Sequence, residues 1–163
     1  MTGASVVVCR DDASGRDFEG LHRETKVLAG SGASLVRYHE GESELEIDVL
    51  ADSKTGSFLD QLDNHLRAGQ LAKGRALDTF SYHGGFALAL ARTCTSVIAV
   101  EQDPDAATRA RANMTRNGHA HVDVQTANAF DVLRTLSDNG EQFDTVVIDP
   151  PGLAKRSEGL ATA

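Results

Sequence analysis

The sequence is poor in the features that mark several protein classes. Its 2 cysteines, Cys9 and Cys94, lie far apart without a CxxC spacing, so neither a disulfide framework nor a zinc site is indicated. No apolar run approaches the roughly 20 residues that a membrane-spanning helix needs. The N-terminus lacks the basic start and the apolar core of a signal peptide. These absences predict a protein of the reducing cytoplasm.

Positive charge is also scarce, because 16 Lys and Arg residues face 24 Asp and Glu residues and the formal net charge is −8. Affinity for a phosphate backbone comes from Lys and Arg displacing counterions. The chain is therefore not expected to hold a nucleic acid unaided, and another domain or a local patch would have to supply that contact.

The pattern of apolar residues predicts two domains, residues 1–52 and residues 53–163. The first is a small, mostly antiparallel β-rich module with strands near residues 5–10, 34–38 and 44–49. The second opens with a helix over residues 58–71 and then alternates strands with helices, which predicts an α/β fold with an incomplete Rossmann-like sheet of four parallel strands. The predicted strands are 76–80, 96–100, 121–125 and 143–148, and the helices between them are 85–91, 103–118 and 129–136.

The first candidate site follows the first of these parallel strands. Gly84 and Gly85 are small enough for the backbone to approach a ligand, although Phe80 and Tyr82 stand where the general Rossmann pattern prefers glycine. A plain turn is the alternative. Glu101 follows the next strand, where a carboxylate accepts hydrogen bonds from ribose hydroxyls; its alternative is a surface carboxylate before a helix. The absence of Gly-x-Gly-x-x-Gly disfavours NAD, whereas a ribose-binding carboxylate also suits S-adenosylmethionine.

Two further candidate segments follow the later strands. Asn128 and Phe130 offer an amide and an apolar wall to an adenine, or Asn128 is an ordinary helix N-cap. Asp149 precedes Pro150 and Pro151, which fix the backbone. The Asp149 carboxylate and the Pro150 carbonyl are then able to meet the donor edge of a flat heterocycle. Plain termination of the strand by two prolines is the alternative.

Other reactive side chains are weaker candidates. His119 and His121 are interpreted as surface residues, since no third metal ligand is evident. Cys94 falls between a helix and the start of the next strand, the wrong edge of the sheet for attack on a substrate beside Asp149. Both thiols, Cys9 and Cys94, are expected to be buried.

Three stretches carry a resemblance to a known family. KTGSFLDQ at residues 54–61, LDTFSYHGGF at residues 77–86 and DPP at residues 149–151 resemble the KTGxFLDQ, LDxFSYxGGF and DPP motifs of class I S-adenosylmethionine-dependent methyltransferases that modify cytosine C5 in large-subunit ribosomal RNA. The resemblance implies a flipped or single-stranded cytosine against Asp149, Pro150 and Pro151. It implies cofactor contacts at Phe58, Gln61, Asp78, Phe80, Ser81, Tyr82, Gly84, Gly85, Phe86, Glu101, Gln102, Asn128, Ala129, Phe130 and Asp149.

The chain also departs from the family pattern. The family carries Arg at the places of Leu62 and His65, and Asp at the place of Asn128. Its N-terminal RNA-binding PUA domain and the later segment with its nucleophilic cysteine, which C5 methylation requires, have no counterpart here. The prediction is a truncated member with S-adenosylmethionine as cofactor, ribosomal RNA as the parent substrate and no metal. The alternatives are a non-catalytic S-adenosylmethionine-binding or homodimerising protein, and a methyltransferase for another acceptor such as guanine or a protein.

Overall fold

The computed structural model describes residues 3–152 and divides into two compact units. Within the described range, the first unit contains residues 3–38 and 46–59, and the second contains residues 39–45 and 60–152. The predicted boundary after residue 52 stays a prediction, and residues 153–163 of the predicted second domain lie outside the described residues. No helix in the described part of the chain is long and apolar enough to cross a membrane.

The first unit is built on β-strands. β1 (Val6–Asp11) pairs antiparallel with β2 (Glu24–Gly30), with an irregularity between Val7 and Val8. The sequence analysis missed β2, whose seven residues are all exposed and therefore show no alternation of buried and exposed positions. Arg10 donates hydrogen bonds to the carbonyl oxygens of Val49 and Asp52 at 3.0 and 2.8 Å, which ties β1 to the end of this unit.

A second hairpin joins β3 (Leu35–Glu40) to β4 (Ser43–Asp48), and its tip, residues 39–45, belongs to the second unit. The predicted alternation of β4 is confirmed, because Ser43, Leu45 and Ile47 are buried while the residues between them are partly exposed. The tip brings Glu40 and Glu42 into the second unit.

The second unit contains a parallel sheet with the strand order β7-β6-β5-β8. This α/β architecture confirms the predicted fold class. The order in which strands are added reverses at β5, because β6 and β7 lie on one side of it and β8 on the other. In such sheets, ligands bind outside the carboxyl ends of the strands at the point of reversal. The strands are β5 (Arg75–Thr79), β6 (Ser96–Glu101), β7 (Asp123–Thr126) and β8 (Thr145–Ile148).

In the described part of the chain, four α-helices accompany the sheet. α1 begins at Leu62, later than predicted, because a 3-10 turn occupies residues 59–61. α4 packs on one face of the sheet, where Val132, Leu133 and Leu136 meet the buried Leu77 and Val100. The bounds are α1 (Leu62–Leu71), α2 (Gly85–Ala91), α3 (Pro104–Arg116) and α4 (Ala129–Asp138).

Both cap predictions in these helices are confirmed. The Asp103 side chain accepts hydrogen bonds from the backbone N–H groups of Asp105 and Ala106 at the start of α3, with Pro104 in the first turn. Gly118 follows the helix with a φ of +77°. The Asp103 cap fixes the segment that follows β6, and Gly118 ends α3 ahead of β7.

Candidate functional site

Each strand of the parallel sheet ends in one of the predicted segments. The loop from Phe80 to Gly84 follows β5, Glu101 is the last residue of β6, Asn128 follows β7, and Asp149 follows β8. Because parallel strands present their carboxyl ends at one edge, the fold brings these four segments to the same side of the second unit.

The loop after β5 holds two bulky residues in the left-handed region of backbone space. Phe80 has a φ of +61° and Tyr82 a φ of +49°, a conformation that is uncommon for residues other than glycine and costs free energy. The predicted strand 76–80 ended one residue too late for this reason, since Phe80 leaves the extended conformation. Hydrogen bonds hold the loop in this state, among them Ser81 N–H to the Val100 carbonyl at 2.9 Å.

Gly84 ends this loop as the N-cap of α2, with a φ of +88°. A side chain there would collide with the Met114 methyl group of α3. Asn113, also on α3 and fully buried, donates a hydrogen bond from its side chain to the His83 carbonyl at 3.1 Å. The contacts of Asn113 and Met114 with this loop were not predicted from the sequence. Their positions in the helix pattern indicate only that they lie on the buried face of α3.

Asp78 is fully buried at the end of β5. Its Oδ2 accepts a hydrogen bond from the Ser81 hydroxyl at 2.8 Å, whereas Oδ1 has no hydrogen-bond partner among the described residues. Burial raises the pKa of Asp78 to about 7, an effect that the Ser81 hydroxyl and the charge of His65 partly oppose and that the charge of Asp149 reinforces. A buried carboxylate oxygen without a donor is a place for a cationic or N–H-bearing ligand group.

Glu101 is fixed in place by the backbone. Its Oε2 accepts a hydrogen bond from Tyr82 N–H, and its Oε1 accepts one from Asp103 N–H, both at 2.8 Å. Each carboxylate oxygen has a further lone pair, so the group is able to accept two more hydrogen bonds while its orientation is set. Gln102 beside it accepts a hydrogen bond from the Asn128 amide at 3.4 Å.

The segment after β7 has one of the two roles considered for it, the helix N-cap, and its role at an adenine stays a prediction. The Asn128 side-chain oxygen accepts a hydrogen bond from Phe130 N–H at 2.9 Å, so this residue is the N-cap of α4. Ala129 is buried, while the Phe130 ring is 46% exposed and meets the Phe80 ring edge to face, with 5.5 Å between the ring centres. An exposed aromatic ring beside an amide is a suitable wall for a flat heterocycle.

Asp149, Pro150 and Pro151 follow β8 and are exposed. Thr79 ties this strand to β5, because its hydroxyl donates a hydrogen bond to the Val147 carbonyl at 3.0 Å. Thr79 pairs with Ile148, so Asp149 follows directly beside the end of the strand that carries Asp78. The exposed acceptor groups of residues 149–151 therefore follow the strand that pairs with β5, the strand on which Asp78 is buried.

Two other predicted contacts precede α1. Gln61 belongs to the second unit and accepts a hydrogen bond from the Asn64 amide at 2.7 Å. Phe58 belongs to the first unit and is 37% exposed. Its role at the cofactor site therefore stays a prediction.

The remaining reactive side chains lie elsewhere. Cys94 precedes β6, at the amino edge of the sheet, and Cys9 lies on β1 in the first unit. Both are partly exposed, so the prediction of buried thiols was wrong. His119 and His121 precede β7, with their ring centres 5.8 Å apart. No group of three or more potential metal ligands occurs among the described residues.

This fold is shared with solved methyltransferase structures. The SAM-dependent methyltransferase from Agrobacterium tumefaciens superimposes with a TM-score of 0.76 at 16% identity, covering 96% of this chain and 50% of that one. The protein SMU.776, described as a candidate methyltransferase complexed with SAH, gives a TM-score of 0.69 at 22% identity and covers 82% of this chain and 37% of that one. The second unit therefore has the class I methyltransferase fold.

The sequence comparison places the chain in a family. The family described as "Conserved hypothetical protein 95" matches residues 56–158, and the chain belongs to it. The chain is also 36% identical over 162 residues to the ribosomal RNA large subunit methyltransferase I of Erwinia tasmaniensis, a match that covers 94% of this chain. The chain spans about 40% of the length of that relative.

Proposed function

We propose that the chain binds S-adenosylmethionine at the carboxyl edge of its parallel sheet and forms the cofactor-binding part of a methyltransferase. The observation that carries the proposal is the Glu101 carboxylate, held by two backbone N–H groups with lone pairs left for two hydroxyls. A ribose presents such a pair of hydroxyls. The fold shared with methyltransferases supports the same assignment.

The residues present fit this cofactor, which would supply the methyl group. Asp78 has a buried oxygen without a donor, suited to the cationic end of the cofactor. Glu101 suits its ribose, and Asn128 with Phe130 suits its adenine. The backbone of the loop that ends at Gly84 would border the middle of the molecule. Asp149 and Pro150 would then face the base that receives the methyl group.

We propose further that the acceptor of the whole protein is a cytosine of large-subunit ribosomal RNA. The relative from Erwinia tasmaniensis is named a ribosomal RNA large subunit methyltransferase, and the DPP sequence after β8 resembles the base-binding segment of cytosine-C5 enzymes. The net charge of −8 makes strong RNA binding by this chain alone unexpected.

Methylation of cytosine C5 needs a thiolate that adds to C6 and makes C5 electron-rich. Among the described residues of the second unit, the only thiol is that of Cys94, at the opposite edge of the sheet from Asp149. We therefore propose that this chain acts as a partial enzyme, which binds the cofactor and transfers no methyl group to RNA by itself.

Calorimetric titration of the purified chain with S-adenosylhomocysteine tests the proposal. One saturable site with a micromolar to submillimolar dissociation constant is the expected result, and titration with NAD should give no heat of binding. A chain that is folded by circular dichroism but binds no S-adenosylhomocysteine at millimolar concentration would refute the cofactor assignment. Robust formation of 5-methylcytosine in ribosomal RNA by the chain alone would refute the assignment as a partial enzyme.

The predicted homodimer is a separate proposal with one supporting observation. Among the described strands, β8 lies at the edge of the parallel sheet, and its Val146 and Ile148 are 47% and 58% exposed. Such an edge favours pairing with another chain. Sedimentation velocity over a hundredfold range of concentration distinguishes a discrete dimer from a monomer.

A further inference from the structure

Glu40 and His65 form a buried pair of side chains next to the end of the candidate cofactor loop. Glu40 is at the tip of the β3–β4 hairpin and His65 is on α1, both within the second unit. The Glu40 Oε2 and His65 Nδ1 atoms are 2.7 Å apart, and the two side chains are 5% and 12% exposed. A buried contact of this kind fixes the orientation of the imidazole ring.

The His65 ring occupies the space that a side chain at position 85 would need. A Cβ atom at position 85 would collide with the ring, so glycine at this position lets the imidazole lie against the backbone of α2. The next residue, Phe86, meets the same ring edge to face with 4.4 Å between the ring centres. His65 therefore contacts the first turn of α2, immediately after the cofactor loop.

The packing around the ring leaves a cavity. A cavity of about 310 Å³ borders Glu40, His65, Leu66, Gly69, Gly85 and Ala89, among other residues of the second unit. Because a ring beside empty space has room to rotate, packing alone does not hold it against Gly85. The contact with Glu40 supplies the missing constraint.

We propose that Glu40 and His65 form a brace that positions the loop from Tyr82 to Gly85 for cofactor binding. His65 is a positioning residue, since it acts through Gly85 and Phe86. This inference rests on the proposed function of the same site. The brace opposes the tendency of the loop to relax from the left-handed conformation of Tyr82, which costs free energy.

An electrostatic effect supports this assignment. The charge of His65 lowers the pKa of Asp78, whereas the charge of Asp149 raises it. The imidazole on α1 and the carboxylate after β8 thus shift the pKa of Asp78 in opposite directions. Displacement of the ring would therefore change both the shape of the loop and the charge state of the buried carboxylate beneath it.

The test compares Glu40→Ala, His65→Ala and Glu40→Gln with a matched control, Glu42→Gln. Glu42 lies on the same hairpin tip and also pairs with α2, but it contacts Arg92 at the far end of that helix and is mostly exposed. Two quantities are measured for each full-length variant: the dissociation constant for S-adenosylhomocysteine, and amide hydrogen exchange in residues 82–86, which needs no ligand.

Glu40→Ala and His65→Ala should weaken binding about tenfold and speed exchange in residues 82–86 by a similar factor, because a buried polar group loses its partner. Glu40→Gln keeps an oxygen for the imidazole N–H and should stay within about threefold of the wild type, as should Glu42→Gln. If Glu40→Ala does not fold, His65→Phe replaces it, since it keeps a ring beside Gly85 that cannot bond to Glu40.

Three results would overturn the inference: wild-type exchange in Glu40→Ala and His65→Ala, an equal loss in Glu42→Gln, or a loss in Glu40→Gln as large as in Glu40→Ala. The outcome is separable from that of the proposed function. If the wild type binds no S-adenosylhomocysteine, the cofactor assignment fails, while the exchange measurement still decides whether the brace positions the loop.

Discussion

The Glu101 carboxylate accepts a hydrogen bond of 2.8 Å from the backbone N–H of Tyr82, so the end of β6 holds the loop that follows β5. The same carboxylate accepts a hydrogen bond from Asp103 N–H at the start of α3. One side chain therefore joins the two segments that the proposed function assigns to the cofactor. This relationship leads to the first of four predictions.

Glu101→Gln should weaken binding of S-adenosylhomocysteine by about tenfold to a hundredfold. The amide presents N–H donors where the carboxylate accepted from Tyr82 or Asp103, so one backbone N–H loses its acceptor. Titration calorimetry measures the change. Glu141→Gln is the control, because Glu141 is a surface carboxylate that pairs with Arg75. Equal affinity in the wild type and Glu101→Gln would contradict the role of this carboxylate.

Asp78 should make stability depend on pH near neutrality. Its pKa is about 7 in the folded chain, above the ordinary value of 3.8. A raised pKa means that the folded state binds the proton more tightly than the unfolded state. The stabilisation is therefore complete below pH 4 and is lost as the pH rises through about 7.

Urea unfolding at a series of pH values measures this effect. The informative window lies between pH 6 and 8, around the pKa of Asp78, where the wild type should lose stability with rising pH. Asp78→Asn cannot ionise and should show a flatter profile in that window. Parallel profiles for the two proteins would show that Asp78 does not titrate there.

Tyr82→Gly should leave the chain more stable than Tyr82→Ala by about 1 kcal/mol. Both changes remove the ring, but the φ of +49° is strained for alanine and not for glycine. Denaturant unfolding of the two variants gives the difference. Inside α2 the alanine form should instead be the more stable one, so Ala89→Gly should lower the free energy of unfolding by about 0.5–1 kcal/mol. A more stable alanine variant at position 82 would contradict the left-handed conformation.

Asn128 should tolerate aspartate and not alanine. Asn128→Ala removes the N-cap acceptor of α4 and should lower the free energy of unfolding by about 1 kcal/mol. Asn128→Asp keeps the acceptor and adds a negative charge at the helix N-terminus, so stability should be retained. Thermal unfolding compares the three proteins.

We also expect Asn128→Asp to bind S-adenosylhomocysteine more tightly, by up to about tenfold, because a carboxylate is a stronger acceptor than an amide.

The parallel sheet was predictable because its signals are local. Short apolar runs defined β5 to β8, and Asp103, Pro104 and Gly118 marked the ends of α3. The segments that follow each strand could then be assigned to one edge, since parallel strands share the position of their carboxyl ends. β2 was missed because a fully exposed strand carries no alternation of burial.

The charge state and the geometry of the candidate site could not be predicted from the sequence to the same extent. Asp78 was predicted as a cofactor contact, but its pKa depends on complete burial, which raises it, and on the charges of His65, which lowers it, and Asp149, which raises it. These residues are separated from Asp78 in the chain. His65 was noted only as a departure from a family pattern. Its contact with Glu40 joins residues 25 positions apart, and no periodicity in the sequence indicates such a pair.

The amino-acid sequence by itself determined the order of strands and helices in the second unit, the caps of α3, and the residue types that end each parallel strand. These depend on apolar spacing and on the local conformational preferences of Asp, Pro and Gly. Only the tertiary structure decided that Glu101 holds Tyr82, that Asp78 is buried with one oxygen lacking a hydrogen-bond partner among the described residues, and that His65 lies against Gly85. Those relationships depend on distances between segments that are separated in the chain, and such distances are fixed only when the helices pack on the sheet.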